Sequence, residues 1–111
     1  MEAYQNALNS QVGLSEFQNV QLQFDLADIY EMANKFEEAT QAYLKIPYLY
    51  PKEIFWSTKA YLRLGRIFED KGDFESAKTV YQKVIDLGTD EMKFAQERLE
   101  WIRSNAQTTA Q

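Results

Sequence analysis

Apolar residues along the chain recur every three or four positions, which is the spacing of an amphipathic helix. Leu22, Leu26, Ile29 and Ala33 show this spacing over one continuous segment. Alternation of apolar and polar residues, which marks a strand, does not extend over a useful length, and no stretch rich in glycine or proline divides the chain. The pattern therefore predicts an all-α fold of antiparallel helix pairs joined by short turns.

Residues that start or stop helices give the predicted bounds. Ser15, with Gln18 three residues later, can form a capping box in which each side chain hydrogen-bonds to the backbone of the other residue. Asn34, Gly72 and Gly88 tolerate the left-handed conformation in which many helices end. The predicted helices span residues 16–33, 36–45, 52–71, 74–87 and 89–103.

Further expectations concern individual helix ends. Pro47 should kink or break the second helix, because its ring lacks an N–H group and clashes with the preceding turn. Residues 48–50 would then form an irregular turn. Asp73 and Thr89 should cap the fourth and fifth helices. The polar tail after residue 103 is expected to fray.

The chain also contains an internal repeat. The matching residues are identical or alike in type, and each pair lies 38 positions apart. Leu26, Tyr30, Phe36, Ala39 and Tyr43 correspond in this way to Leu64, Phe68, Phe74, Ala77 and Tyr81. A fixed period between about 20 and 50 residues marks an architecture of stacked repeats. Such architectures usually bind other proteins, so the repeat favours an interaction role over catalysis.

The repeated residues resemble the tetratricopeptide repeat, in which a Leu-Gly or Leu-Ala pair, aromatic residues and alanines occur in a set order. Leu64-Gly65, Phe68, Gly72, Phe74, Ala77 and Tyr81 follow that order, and so do Leu26-Ala27, Tyr30, Asn34, Phe36, Ala39, Tyr43, Ile46 and Pro51. The resemblance covers roughly residues 20–103 and implies helix pairs stacked as a right-handed superhelix, an α-α solenoid. Ala27/Gly65 and Ala39/Ala77 would lie where paired helices approach most closely.

The resemblance divides the chain into parts of one repeat domain over residues 1–111. Residues 16–51 and 52–88 would be two full repeats, residues 89–104 a capping helix and residues 105–111 a tail. Residues 1–10 look like the remnant of a preceding repeat, since Tyr4 matches Tyr43. We therefore expect the chain to be a fragment of a longer array.

The period exceeds the usual 34 residues, and the first repeat ends in Tyr50-Pro51. In both respects the chain resembles repeats of bacterial cell-envelope proteins, such as the periplasmic Tol–Pal coordinator and the outer-membrane-assembly lipoprotein. The resemblance implies a bacterial protein, in the periplasm or the cytoplasm.

Composition excludes several functions. The net charge of −5 and the pI near 4.7 argue against nucleic acid as a partner. No apolar run approaches the roughly 18 residues that span a bilayer, so we expect a soluble chain with no direct membrane insertion. The chain has no histidine and no cysteine, which excludes the usual catalytic triads, zinc sites and thiol nucleophiles. We therefore predict no catalytic residue, metal or cofactor.

The resemblance also implies where a partner would bind, because the first helices of successive repeats line a concave groove in this family. The groove positions hold Gln21, Phe24, Asp28, Glu31, Met32, Lys59, Leu62, Arg66, Glu69 and Asp70. The family's basic clamp for a peptide carboxylate needs Lys, Arg and Asn at positions that here hold Phe24, Asp28 and Leu62, so we do not expect it. A mixed groove suits an extended or helical protein or peptide with apolar anchors. The alternative is a solvated face without a ligand.

The last predicted helix offers a second candidate surface. Phe94 and Trp101 widen its apolar arc beyond what one packing face needs. They either close the end of the core or dock the next domain or a second subunit, and Phe55 and Trp56 raise the same question. The alternative function is accordingly a structural assembly or homo-dimerisation element of a larger bacterial envelope protein.

Overall fold

The structure is a computed structural model that describes residues 15–109, with side chains as far as residue 105. The described residues form five helices and no strand, which confirms the predicted all-α fold class. The helices are α1 (Glu16–Met32), α2 (Phe36–Leu49), α3 (Ile54–Lys71), α4 (Phe74–Leu87) and α5 (Met92–Thr109). The chain divides into two compact units, one that ends at Ala60 and one that begins at Tyr61. The predicted remnant of a preceding repeat, residues 1–10, lies outside the described residues.

Most of the predicted helix ends are confirmed. The Gln18 N–H donates to Ser15 Oγ at 3.1 Å and the Ser15 N–H donates to Gln18 Oε1 at 2.9 Å, so the capping box is complete. Asn34, Gly72 and Gly88 have φ values of 61°, 79° and 68°, which is the left-handed region. The Ser76 N–H donates to the Asp73 carboxylate at 3.2 Å and so caps α4 as expected.

Of the two effects predicted for Pro47, the break is wrong and the kink stays a prediction. Helix α2 continues through Pro47 to Leu49, and the Tyr50 N–H donates to the Ile46 carbonyl at 2.8 Å. The φ angle of proline is compatible with a helix, and its missing N–H removes a single backbone hydrogen bond. Because this happens in the last turn, only the Tyr43 carbonyl loses its helical donor and the helix does not end there.

Both predicted ends of the last helix are also wrong. Helix α5 begins at Met92, whose N–H donates to the Thr89 backbone carbonyl at 3.0 Å. The Thr89 hydroxyl is buried and makes no hydrogen bond to any described residue, so it does not cap the helix. The helix continues beyond Arg103 to Thr109.

The core of the first unit joins α1 to α2. Val20, Leu26 and Ala27 of α1 and Ala39, Ala42, Tyr43 and Ile46 of α2 are buried. The fully buried Ala27 and Ala39 allow close approach of the helices, as the sequence predicts. Gln23 adds a specific link, since its Nε2 donates to the Ala42 carbonyl at 3.0 Å.

The core of the second unit joins α4 to α5. Its buried members are Ala77, Tyr81, Val84, Ala95, Leu99 and Ile102. Gly65 of α3 lies against the Tyr81 ring so closely that an added methyl group would collide with it. Tyr81 is therefore fixed between α3 and α5, and this placement builds the floor of the site described next.

Candidate functional site

A cleft lies between α3 and α5 of the second unit, with a volume of about 560 Å³. Its lining residues are Leu62, Arg63, Arg66, Glu69 and Asp70 of α3, Tyr81 of α4, and Phe94 and Arg98 of α5. The α3 residues recur three or four positions apart because they share one helix face. Phe94 and Arg98 face them from successive turns of α5, and the Phe94 ring contacts Tyr81 edge-on with centroids 6.4 Å apart.

A polar network joins the three helices at the bottom of the cleft. Tyr81 donates its hydroxyl proton to Glu69 Oε2 at 2.6 Å, and Arg98 Nε donates to the same oxygen at 3.1 Å. A second guanidinium nitrogen of Arg98 binds Glu69 Oε1, which makes the pair bidentate. Burial would raise the pKa of the Glu69 carboxyl, but the hydrogen bonds from Arg98 and Tyr81 outweigh it and lower that pKa. The network therefore holds a charged carboxylate and orders the cleft.

The charges that line the cleft differ from those of the chain as a whole. Three arginines and two carboxylates line it, for a local net charge of +1, whereas the chain carries −5. Arg98 and Glu69 neutralise each other, and the Arg98 guanidinium also lies 4.8 Å from the centroid of the Trp101 ring. The remaining charged residues of the lining are Arg63, Arg66 and Asp70, of which two are positive.

Several predicted binding residues meet in this cleft. Leu62, Arg66 and Asp70, expected in a groove, line it together with Phe94, which the sequence assigned to a separate surface. Phe94 is 50% exposed, and Trp101, its predicted companion, is 44% exposed.

Sequence reasoning missed the roles of Arg63, Tyr81 and Arg98. One signal for the floor was available, because Glu69 and Tyr81 stand twelve residues apart and Glu31 and Tyr43 have the same spacing. A Glu–Tyr pair that recurs at one spacing in both repeats indicates a contact between the two helices of each repeat.

The first unit repeats this contact with a different charge balance. The Tyr43 hydroxyl lies 2.7 Å from Glu31 Oε1 and also contacts the Asp28 carboxylate. Burial raises the pKa of Tyr43, and the hydrogen bonds to both carboxylates raise it further. Met32, in the next turn, is 83% exposed. Asp28, Glu31 and Met32 thus lie together at the end of α1.

The expected exposure of Phe24 is wrong. Phe24 is only 3% exposed, because it lies on the inward face of α1 with Val20 and Ala27. Its ring packs against Tyr43 and Trp56, with centroids 5.4 and 5.3 Å away. Phe24 is therefore a core residue.

Lys59, another predicted groove residue, is enclosed by aromatic rings of the first unit. Its Nζ lies 5.0 Å from the ring centroid of Phe24, 5.3 Å from that of Phe55 and 5.0 Å from that of Trp56. Asp25 lies close enough to Lys59 for their charges to interact: burial and Asp28 raise the pKa of the Asp25 carboxyl, and Lys59 opposes this rise. The side chain of Lys59 is partly exposed.

The structure also bears on membrane crossing and metal binding by the described part of the chain. Its helices include none that is both long and apolar enough to cross a membrane. Among the same residues, the acidic side chains do not gather in groups of three or more that could hold a metal ion.

Comparison with known families gives two matches. One tetratricopeptide repeat model matches residues 21–53, and a second tetratricopeptide repeat model matches residues 58–87. Together they cover more than half of the 111 residues. No curated protein and no solved structure has significant similarity to the chain. The bounds predicted for the two individual repeats stay predictions.

Proposed function

The chain belongs to the tetratricopeptide repeat family, and we propose that it is an interaction module that binds a protein or peptide in the cleft between α3 and α5. Repeats of this family generally mediate protein–protein interaction and are typically non-catalytic. The observation that carries the proposal is the cleft itself, which apolar and charged side chains of the helices line together. Four of the residues that the sequence assigns to a groove line the cleft, namely Leu62, Arg66, Glu69 and Asp70.

The lining of the cleft suits a peptide with one apolar anchor. Leu62 and Phe94 provide apolar walls, while Arg63, Arg66 and Asp70 provide hydrogen-bonding groups at the rim. A volume of about 560 Å³ falls within the range of about 300–1,000 Å³ that is typical of binding pockets. We propose that an apolar side chain of the partner enters between Leu62 and Phe94, and that an adjacent carboxylate approaches the two arginines.

The network under the cleft supports binding because it fixes the walls before a partner arrives. Hydrogen bonds join Glu69 of α3 to Tyr81 of α4 and to Arg98 of α5. These bonds hold the three helices in fixed positions relative to one another around the cleft. A site that is already ordered loses less conformational entropy on binding.

Peptide selection followed by measured affinities tests this proposal. A displayed library of random peptides is selected on the immobilised chain, and the enriched peptides are synthesised and titrated by fluorescence anisotropy. We expect the variant Leu62→Ala/Phe94→Ala to bind them at least about tenfold more weakly, since two apolar contacts are lost. Tyr48→Ala is the matched control, because this aromatic residue is 82% exposed and lies in the first unit.

The proposal fails if no peptide is enriched, or if the enriched peptides bind Leu62→Ala/Phe94→Ala as tightly as the unmodified chain. Circular dichroism of each variant shows whether helicity is preserved. A loss of affinity is ascribed to the cleft only where the variant keeps the helicity of the unmodified chain.

A second candidate function is assembly with another copy of the chain, which would fit a structural role in a larger bacterial envelope protein. Two observations favour it: Tyr48 is 82% exposed, and Leu44, one helical turn earlier on α2, is 42% exposed. Light scattering coupled to size-exclusion chromatography at micromolar concentrations tests it. A dimer that Leu44→Ser/Tyr48→Ser converts to monomer is the expected result, and a monomer at every concentration would exclude this role. Placement in the envelope rests on the long repeat and on the Tyr50-Pro51 ending.

A further inference from the structure

The Lys59 ammonium lies among three aromatic rings of the first unit that the proposed function does not use. A cation within about 6 Å of an aromatic ring centroid is attracted by the negative face of the ring, and tryptophan attracts it most strongly. The Lys59 ammonium satisfies this distance to Phe24, Phe55 and Trp56 at once. Three rings around one ammonium form a cage of the kind that recognises alkylated ammonium ligands.

The walls of this cage are already ordered. Phe24 and Trp56 are 3% and 7% exposed, and Phe55 and Phe17 each contact Trp56 edge-on, with centroids 5.3 and 5.7 Å away. The Trp56 Nε1 is buried, and no described residue accepts a hydrogen bond from it. Phe55 is 59% exposed and leaves its side of the cage accessible to solvent.

The Lys59 ammonium, by contrast, can leave the cage. Lys59 is partly exposed and its ammonium is carried on a flexible four-carbon chain, so it can turn out into water without unfolding the helix. An ammonium that carries methyl groups is less strongly hydrated than that of lysine and covers more of each ring. The carboxylate of Asp25, which interacts with Lys59, would remain to favour any cation that took its place.

We propose that the rings of Phe24, Phe55 and Trp56 form a binding site for an alkylated ammonium group, and that Lys59 is its resident and displaceable occupant. The ligand is either a small quaternary ammonium compound or a methylated lysine of a partner chain, since both present the same group to the rings. Lys59 keeps the cage filled when the ligand is absent and sets the affinity by competing with it from the same molecule.

Tetramethylammonium is the probe for the test, and its methyl proton resonance is followed by NMR as the chain is added. Ring currents shift this resonance upfield when the probe enters the cage. Lys59→Ala should bind the probe at least about fivefold more tightly than the unmodified chain, because the internal competitor is gone. Lys59→Arg, which keeps a cation in place, should bind it no more tightly than the unmodified chain.

Two controls separate the cage from general charge effects. Lys52→Ala removes an exposed lysine of the same unit and should leave binding of the probe unchanged. Phe55→Ala/Lys59→Ala removes the exposed wall and should abolish the gain produced by Lys59→Ala. The proposal is overturned if Lys59→Ala binds the probe no more tightly than the unmodified chain. It is also overturned if Phe55→Ala/Lys59→Ala still binds the probe more tightly than the unmodified chain.

A measurement on the unmodified chain keeps the test valid if a variant does not fold. The ε-methylene protons of Lys59 should resonate upfield of those of Lys52 and should move back as tetramethylammonium is added. Ordinary resonances for these protons would contradict the cage. Two peptides that differ only in one trimethylated lysine distinguish the two sources of the ammonium group. Preference for the methylated peptide indicates a methylated lysine of a partner chain. Equal weak binding of both peptides, together with tight binding of the probe, indicates a small quaternary ammonium ligand.

Discussion

The contact between Gly65 and Tyr81 supplies a stability prediction whose sign can be reversed by a second substitution. Gly65 is buried in α3, and a methyl group added to it would collide with the outer end of the Tyr81 ring, at Cζ, Cε1 and the hydroxyl oxygen. Tyr81 is 2% exposed, and its hydroxyl is hydrogen-bonded to Glu69. The ring therefore cannot retreat without breaking that bond.

Two opposing effects set the magnitude for Gly65→Ala. Alanine is favoured over glycine in a helix interior by about 1 kcal/mol, whereas overpacking of a core costs about 1–3 kcal/mol. Displacement of the Tyr81 hydroxyl adds about 1 kcal/mol for its hydrogen bond. We expect a net decrease of about 1–3 kcal/mol in the free energy of unfolding.

Urea denaturation followed by circular dichroism measures this effect, and a double-mutant cycle tests its cause. A leucine at position 81 lacks the outer ring atoms and the hydroxyl with which the new methyl group collides. In a Tyr81→Leu background the same Gly65→Ala change should therefore be neutral or stabilising by up to about 1 kcal/mol. Gly88→Ala is the control, because nothing lies within 4 Å of its added methyl group and only its φ of 68° is unfavourable. A destabilisation by Gly65→Ala that is equal in both backgrounds would refute the reasoning.

Two further predictions concern pH and helix capping. The pKa of Glu69 is lowered in the folded chain, since hydrogen bonds from Arg98 and Tyr81 outweigh the effect of burial. The ionised Glu69 carboxylate therefore stabilises the fold fully when the pH is above the ordinary pKa of glutamate. This stabilisation is lost as the pH falls through the lowered pKa of the folded chain. The difference in unfolding free energy between the unmodified chain and Glu69→Gln should accordingly be largest near neutral pH and shrink below about pH 4. Urea titrations at a series of pH values measure this difference. A difference that grows on acidification would contradict the expectation. Ser15→Ala removes the acceptor of the Gln18 N–H and should lower the unfolding free energy by about 1 kcal/mol, whereas an unchanged urea midpoint would show that the capping box contributes nothing.

Local sequence signals predicted the helices well because caps act over three or four residues. The capping box at Ser15 and the left-handed ends at Asn34, Gly72 and Gly88 are all present. The break at Pro47 and the cap at Thr89 were predicted wrongly, because residue type alone does not decide either effect. The effect of a proline depends on how many turns follow it, and a threonine caps only if its hydroxyl reaches a backbone N–H.

The candidate site was only partly predictable, since distances between helices are not readable from periodicity. Leu62, Arg66 and Asp70 share a helix face, so they could be grouped from their spacing. Phe24 also fits a repeat position, yet its neighbours Tyr43 and Trp56 bury it. Their contacts link three helices, and only the packed structure reveals them.

The most direct test of the central claim is to map a selected peptide onto the isotope-labelled chain by NMR. Chemical-shift changes should concentrate on residues 62–70 of α3 and on Phe94 and Arg98 of α5, and the side chain of Leu62 should show contacts to the apolar anchor of the peptide. Changes that instead cluster on the exposed face of α2 around Leu44 and Tyr48, with the cleft residues unmoved, would contradict the account.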